Sequence, residues 1–381
     1  MKSNIIAIAL SSFAADITAF PEKLLSWSDW KTKFNKNYAQ HEISQKYENF
    51  MKTKNFIQNH NERFLQGKET YFTDLNDFSD MSDEEFFERN NYNEATPFGS
   101  TYTCSTIFRP TSGPANNCLD CKDNGDGTGP AYFWQDPELN NLNKKLVTDV
   151  KDQASCGSCW AFAAAATIEG QFCMKDYYDC NTWQGVSPQN YVDCNMCDDN
   201  TGVNDLTGFA CSFGCGGGWS QNAWYYSEVQ GGTGSWDGYP YESGTTRVNG
   251  ECRYNPTDNV FNVNNEGKAI ADRCVAVSGK NEETMMQAVN TEGPIKVSIY
   301  ASRDGFRSYA GGVYSDDGCG QSTNHAVTVT GYGIDSESGM DYWMVKNSWG
   351  TSYGLGGYVK MRRNYGSMCA IGSYPYWPLI N

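Results

Sequence analysis

Residues Cys156-Gly-Ser-Cys-Trp-Ala-Phe162 decide how the rest of this chain is read, because they place a thiol, Cys159, where an alanine-rich helix begins. The run Ala161 to Ala166 followed by Ile168 predicts that the helix continues to about Met174. A helix N-terminus presents unpaired amide donors and the positive end of a dipole, which favours thiolate and makes a cysteine nucleophilic. Such a thiol needs a base. Of the three histidines, His41 and His60 lie in a charged N-terminal segment, which leaves His325, in Thr323-Asn-His-Ala-Val-Thr-Val329, to serve Cys159. A lone histidine at the start of a strand is ordinarily a packing residue, but here no other imidazole remains for the thiol.

Composition narrows the setting. The 381 residues are 39% hydrophobic and 14% aromatic, enough for sizeable cores. With 45 acidic against 29 basic residues, a formal charge of -16 argues against nucleic acid or an anionic membrane as partner. Fifteen cysteines fit seven bridges plus one reactive thiol in an oxidising compartment. Lys2, an apolar stretch from Ile5 to Leu10 and small residues up to Ala15 predict a secretory signal peptide over 1–19, cut after Ala14 or Ala19. No later run is long enough to span a membrane, and no Asn-x-Ser/Thr acceptor occurs once the Pro-containing triplet is set aside.

Residues 20–95 read as a small helical domain. Trp27, Trp30, Phe34, Tyr38, Tyr47, Phe50 and Ile57 recur at helical spacings, predicting two helices joined near Asn37. Thr73-Asp-Leu-Asn-Asp-Phe-Ser-Asp80 is turn-like, and Ser82-Asp-Glu-Glu85 has the form of a capping box opening a short helix. Residues 96–130, rich in Pro, Gly, Asn, Asp and Thr, read as a linker containing the processing site. Within it Asp123-Asn-Gly-Asp-Gly-Thr-Gly129 lacks the spacing and closing glutamate of a calcium loop, so no metal is assigned. In 131–381 a helical half precedes short β-prone runs at Ile295–Tyr300, Ala326–Tyr332, Tyr342–Lys346 and Tyr358–Met361. An α+β fold of two subdomains with a cleft between them is expected.

Cys156 to Phe162 also resembles the signature of the papain and cathepsin peptidases. Gly214-Cys-Gly-Gly-Gly218, Asn324-His-Ala-Val327 and Val345-Lys-Asn-Ser-Trp-Gly350 resemble the family's glycine-rich, histidine and asparagine segments, in the family's order. The resemblance implies a papain-like fold and a cysteine endopeptidase in which Cys159 is the nucleophile, His325 its general base and acid, and Asn347 the group that orients the imidazole. It makes Gln153 the oxyanion donor, a role whose loss costs about 3 kcal/mol of transition-state stabilisation, and Trp349 the cover over the Asn-His hydrogen bond. Ala154 stands where the family usually has glycine. Gly217 and Gly218 would admit an extended substrate backbone; Trp219, Ser220, Ser298, Asn324 and Ala326 would bind substrate, with Tyr374 closing the pocket for the side chain two residues before the scissile bond. The same resemblance pairs Cys156 with Cys215, Cys194 with Cys252 and Cys319 with Cys369; proximity suggests Cys173 with Cys180 and Cys197 with Cys211.

Upstream, Glu42, Lys46, Phe50, Ile57 and Asn61, then Asn76-x-Phe78-x-Asp80, resemble the two motifs of a cathepsin L-like inhibitory propeptide. Lys46 stands for an arginine, Thr53 for an asparagine and Asp74 for a glycine of that pattern. The expectation is a zymogen whose propeptide occupies the cleft until acid loosens carboxylate-dependent contacts, acting on protein and peptide substrates. It needs no cofactor, works as a monomer, and is routed through the secretory pathway to a lysosome-type acidic compartment or outside the cell. Three C-x-x-C pairs, Cys118/Cys121, Cys156/Cys159 and Cys194/Cys197, keep a redox or zinc-binding protein as the alternative, with an inactive homologue as a third reading.

Overall fold

The computed structural model describes residues 20–21, 23–90, 104, 106–109, 118–123, 129–197, 211–255, 270–279 and 281–380. The signal-peptide reading of 1–19 lies outside them. The N-terminal region forms α1 (Trp27–Lys33) and α2 (Ile43–Leu65), then β1 (Tyr71–Thr73) and α3 (Asp83–Asn90). Ser26 caps α1 by accepting from the Asp29 N–H at 3.2 Å. Phe50, Ile57 and Phe64 repeat every seven residues and therefore share one face of α2; Phe50 and Ile57 meet Trp30 and Leu75 in a small core. The capping box forms: Ser82 N donates to Glu85 Oε2 at 2.8 Å while Glu85 N donates to Ser82 Oγ at 3.1 Å.

The remaining elements are β2 (Thr106–Ile107), β3 (Lys122–Asp123), β4 (Pro130–Phe133), α4 (Cys159–Met174), α5 (Pro188–Cys194), α6 (Ser220–Val229), β5 (Ile270–Ala276), α7 (Glu282–Glu292), β6 (Ile295–Ile299), β7 (Tyr309–Tyr314), β8 (His325–Ile334), β9 (Asp341–Lys346), β10 (Tyr358–Arg362) and β11 (Ser373–Ile380). The strands run in the order β1-β7-β10-β9-β8-β6-β11-β5-β2, with β4 on β8 and β3 on β4. Helix α4 is buried nearly all round and packs with Val186, Tyr191, Trp224 and Tyr226 in one cluster. Tyr332, Trp343 and Trp377 anchor a second cluster within the sheet-rich half. The N-terminus of α4 points its first residue at the start of β8, and the site lies at that junction.

Both ends of the strand path come from segments placed by sequence outside the β-rich half. β1 belongs to 20–95, and β2 belongs to the stretch 96–130 read as a linker. Part of that linker is thus built into the sheet: β2 pairs with β5, β3 pairs with β4, and Phe108 stacks edge-on against Trp377 at 5.7 Å. Two-residue strands show no alternation that sequence could reveal, and here disulfides Cys104–Cys274 and Cys118–Cys121 fasten them. β7 and β11 were also not anticipated. Gly311 and Gly312 interrupt the first, and Pro375 and Pro378 the second, where β11 changes register.

Candidate active site

The loop before α4 is held rigid at both ends. Cys156 is bonded to Cys215, and Gly157 N donates to Cys215 O at 3.0 Å. This presents Cys159 as the first residue of a 16-residue helix, buried, with its Sγ accepting from Ala326 N at 3.5 Å. The fourteen other cysteines form seven disulfides: besides the Cys156, Cys104 and Cys118 bonds, Cys173–Cys180, Cys194–Cys252, Cys197–Cys211 and Cys319–Cys369. Among the described residues no group of three or more His, Cys, Asp or Glu is arranged to hold a metal ion.

His325 opens β8, and the N–H of the residue after it, Ala326, reaches the sulfur. Its Nε2 lies 2.7 Å from Asn347 Oδ1, an oxygen that also accepts from Ser348 N at 2.8 Å. That second bond fixes the amide orientation; Nε2 therefore carries the proton in the neutral ring and Nδ1 keeps the lone pair. Nδ1 makes no hydrogen bond among the described residues. Trp349 stacks on the imidazole at 4.8 Å and is itself buried. Burial pushes the His325 pKa down to about 4; the Asn347 bond opposes this and the positive charge of Arg89 adds to it.

Gln153 is buried beside the helix start. Its Oε1 accepts from Ser348 Oγ at 2.6 Å, and its Nε2 donates to Cys156 O at 3.0 Å and to Arg89 O at 3.4 Å. The side-chain donor thus already holds a carbonyl from the end of α3. Arg89 itself is buried, pairs with Asp152 at 3.0 Å and lies over the Phe78 ring at 4.5 Å. Ala154 adopts φ 47°, a left-handed conformation that explains why glycine is usual there.

Of the residues expected to bind substrate, Ser220 donates to Trp160 O at 2.8 Å and Ser298 accepts from Lys296 at 2.6 Å. Trp219 and Tyr374 meet edge to face at 5.8 Å. Gly217 has φ 107°, and a Cβ on Gly218 would come within 2.5 Å of Ser212, so that glycine also has a packing reason. The Asn324 side chain is turned to the preceding loop, accepting from Ala301 N at 2.8 Å and bonding Ser302. Sequence reasoning missed Arg89, Ser348 and Lys296. Ser348 lay inside a quoted motif, whereas nothing local marks Arg89 or Lys296.

The N-terminal region closes over this site. β1 pairs antiparallel with β7, Asn76 Nδ2 donates to Arg307 O at 2.6 Å, and Phe78 and Phe86 stand edge-on to Trp349 at 5.6 and 5.3 Å. Lys46 reaches Glu85 at 2.6 Å, Tyr38 donates to Asp80 at 2.8 Å, and Asn61 bonds Thr73 through both amide atoms.

A cysteine thiol at a helix start, an amide-anchored imidazole and an N-terminal segment covering both define a thiol peptidase precursor. Residues 136–379 match the papain family cysteine protease and residues 27–86 the cathepsin propeptide inhibitor domain (I29). The chain is 34% identical over 389 residues to cathepsin L of Sarcophaga peregrina, covering 100% of both chains. It is 34% identical over 358 residues to digestive cysteine proteinase 3 of Homarus americanus, covering 93% of this chain and 94% of that protein. Digestive procathepsin L2 proteinase from the larval midgut of Tenebrio molitor superposes with a TM-score of 0.71 at 30% identity, over 92% of this chain and 98% of that one. The chain therefore belongs to the papain family of cysteine proteases. It is a cathepsin L-like cysteine peptidase carrying its own inhibitory propeptide, with the papain α+β fold.

Proposed function

We propose that the chain is the precursor of a cysteine endopeptidase whose working groups are Cys159, His325, Asn347 and Gln153. His325 Nδ1 takes the thiol proton as Sγ attacks the scissile carbonyl, and the resulting imidazolium later protonates the leaving amine. Water then hydrolyses the acyl-thioester with His325 again acting as base. Asn347 holds the ring without adding charge. Gln153 Nε2 and the Cys159 N–H receive the tetrahedral oxyanion. The observation that carries this reading is the hydrogen bond from Gln153 Nε2 to the Arg89 carbonyl: the propeptide already presents a peptide oxygen to the donor assigned to the reaction.

The same contact accounts for latency. Arg89 fills the donor with its carbonyl while its charge helps keep His325 neutral, and a neutral imidazole forms no ion pair with thiolate. Acid activation fits the carboxylates that hold the propeptide's own helices together. Burial works against the Glu85 carboxylate, but its bonds to Lys46 and to Ser82 N–H outweigh that and hold its pKa down. Its contribution is present above the ordinary carboxylate range and lost as pH falls through its lowered value. The disulfide-rich chain suits entry through the secretory pathway to an acidic or extracellular compartment, action on protein and peptide substrates, and a monomeric state.

Hydrolysis of a fluorogenic dipeptidyl substrate by the acid-treated chain tests the roles. Cys159→Ala and His325→Ala are expected to lose at least about 10³-fold in kcat/KM. Residual activity near wild type in either variant contradicts the mechanism.

A further inference from the structure

One arginine side chain of the enzyme is held entirely by the propeptide. Arg307 lies just before β7, and its side chain is 6% exposed. Its Nη2 donates to the carbonyls of Phe78 and Met81, its Nη1 lies 3.6 Å from Asp83 Oδ1, and its Cζ sits 4.7 Å from the Phe86 ring centroid. All four partners fall within the matched propeptide domain. The Nε has no hydrogen-bond partner among the described residues. Of the enzyme's own charges nearby, Arg303 is paired with Asp316 at 2.8 Å, and Asp304 adds a negative field but, among the described residues, no ion pair. Release of the propeptide strips the guanidinium of every one of these partners.

Ring contacts place this cation relative to the chemistry. Phe306, the residue before it, meets Trp349 edge-on at 5.6 Å, and Trp349 stacks on His325 at 4.8 Å. A groove of about 570 Å³ has Arg307, Ser302 and Asn324 of the enzyme in its wall, with Phe86 and Phe87 of α3 opposite, and Asn324 adjoins His325. In the proposed mechanism His325 protonates the leaving amine, so the residues after the scissile bond run out on the imidazole side. Arg307 therefore borders the path of the substrate residues that follow the bond.

We infer that Arg307 makes the activated enzyme prefer an acidic side chain at one of the first two substrate positions after the scissile bond. The inference rests on the cysteine peptidase reading proposed above and names its substrate class. The propeptide shows what the position accepts: two peptide oxygens, a carboxylate and a ring face. A substrate carboxylate can take Nε and one Nη together, the fork that makes arginine–carboxylate pairs strong, whereas an amide of the same shape offers a single neutral acceptor. A substrate without an acid leaves the guanidinium to water, so the selection works by attraction and not by exclusion.

The test uses the full-length chain activated in mild acid and internally quenched peptides that are identical up to the scissile bond and carry Glu or Gln at the first or the second position after it. At one of the two positions, kcat/KM for Glu is expected to exceed that for Gln by about fivefold or more in the wild type. Arg307→Gln is expected to bring that ratio close to one, and Arg307→Lys to keep part of it. Each ratio is taken on a single preparation, so weaker propeptide docking or a smaller active fraction in a variant leaves it unchanged. Glutamine as good as glutamate at both positions in the wild type overturns the inference without any variant, and so does an unaltered ratio in Arg307→Gln. The two readings fail separately. Hydrolysis that survives Cys159→Ala contradicts the peptidase mechanism, whereas Cys159-dependent hydrolysis without a preference for glutamate contradicts only the role of Arg307.

Discussion

Gln153 shows how much a single side chain is arranged by its neighbours. Its donor is useful only if the amide faces the right way, and Ser348 Oγ, by donating to Oε1 at 2.6 Å, leaves Nε2 for the carbonyl side. Gln153→Ala should therefore lower kcat by about 10²- to 10³-fold. Ser348→Ala, which loosens the amide without removing it, should cost about tenfold in kcat with little change in KM. Equal losses in the two variants would contradict the division of roles. At the next position, Ala154→Gly relieves a left-handed alanine and should raise stability by up to ~1 kcal/mol in denaturant unfolding of the activated enzyme. Cys159, His325, Asn347 and Gln153, the residues proposed to carry the reaction, were legible in sequence because each sits in a motif with a chemical reason for its residue type. Arg89 was not, since it acts through contacts with residues distant in the chain and its position has no local pattern.

The element that matters most for latency is the β1–β7 pair, where Gly311 and Gly312 on β7, with Gly305 just before that strand, accept the propeptide. A Cβ on Gly311 would lie 2.4 Å from the Phe72 ring, one on Gly305 would lie 2.1 Å from Tyr71 Oη, and one on Gly312 would lie 2.6 Å from Thr70 O. Gly311→Ala should therefore weaken docking and speed self-processing of the precursor at a given pH; an unchanged rate would show that the strand does not limit release. The pH window has a definite sign. Burial, helped by Arg89, lowers the His325 pKa from 6.5 to about 4, and burial likewise lowers that of His60, whose Nε2 contacts Tyr71 O at 3.0 Å. The docked form then binds fewer protons than a released form with ordinary imidazoles. Its stability is fully present above about 6.5 and is lost as pH falls towards about 4. Release should begin in that window, before most carboxylates titrate, and a processing rate flat from pH 7 to 5 would contradict it.

At the scale of the whole molecule, the sequence made the two-part papain fold legible through its motif order, but not where the propeptide ends. Cys104 is bonded to Cys274, 170 residues away in sequence, and β2 lies on β5. A cut anywhere between Cys104 and Pro130 leaves the upstream piece covalently attached to the enzyme. Electrophoresis of the activated protein should show a piece that contains Cys104 only after reduction, whereas a cut before Cys104 frees the upstream piece without reductant; a fragment containing Cys104 released without reductant would contradict the bond.

In the mechanism proposed here Cys159 is the nucleophile, and in the precursor it is covered. Labelling with a thiol-directed peptidyl epoxide, followed by peptide mapping before and after acid treatment, tests it most directly. The prediction is one adduct, on Cys159, appearing only after acid treatment and absent in Cys159→Ala. Equal labelling of the untreated precursor, or an adduct that persists in Cys159→Ala, would contradict it.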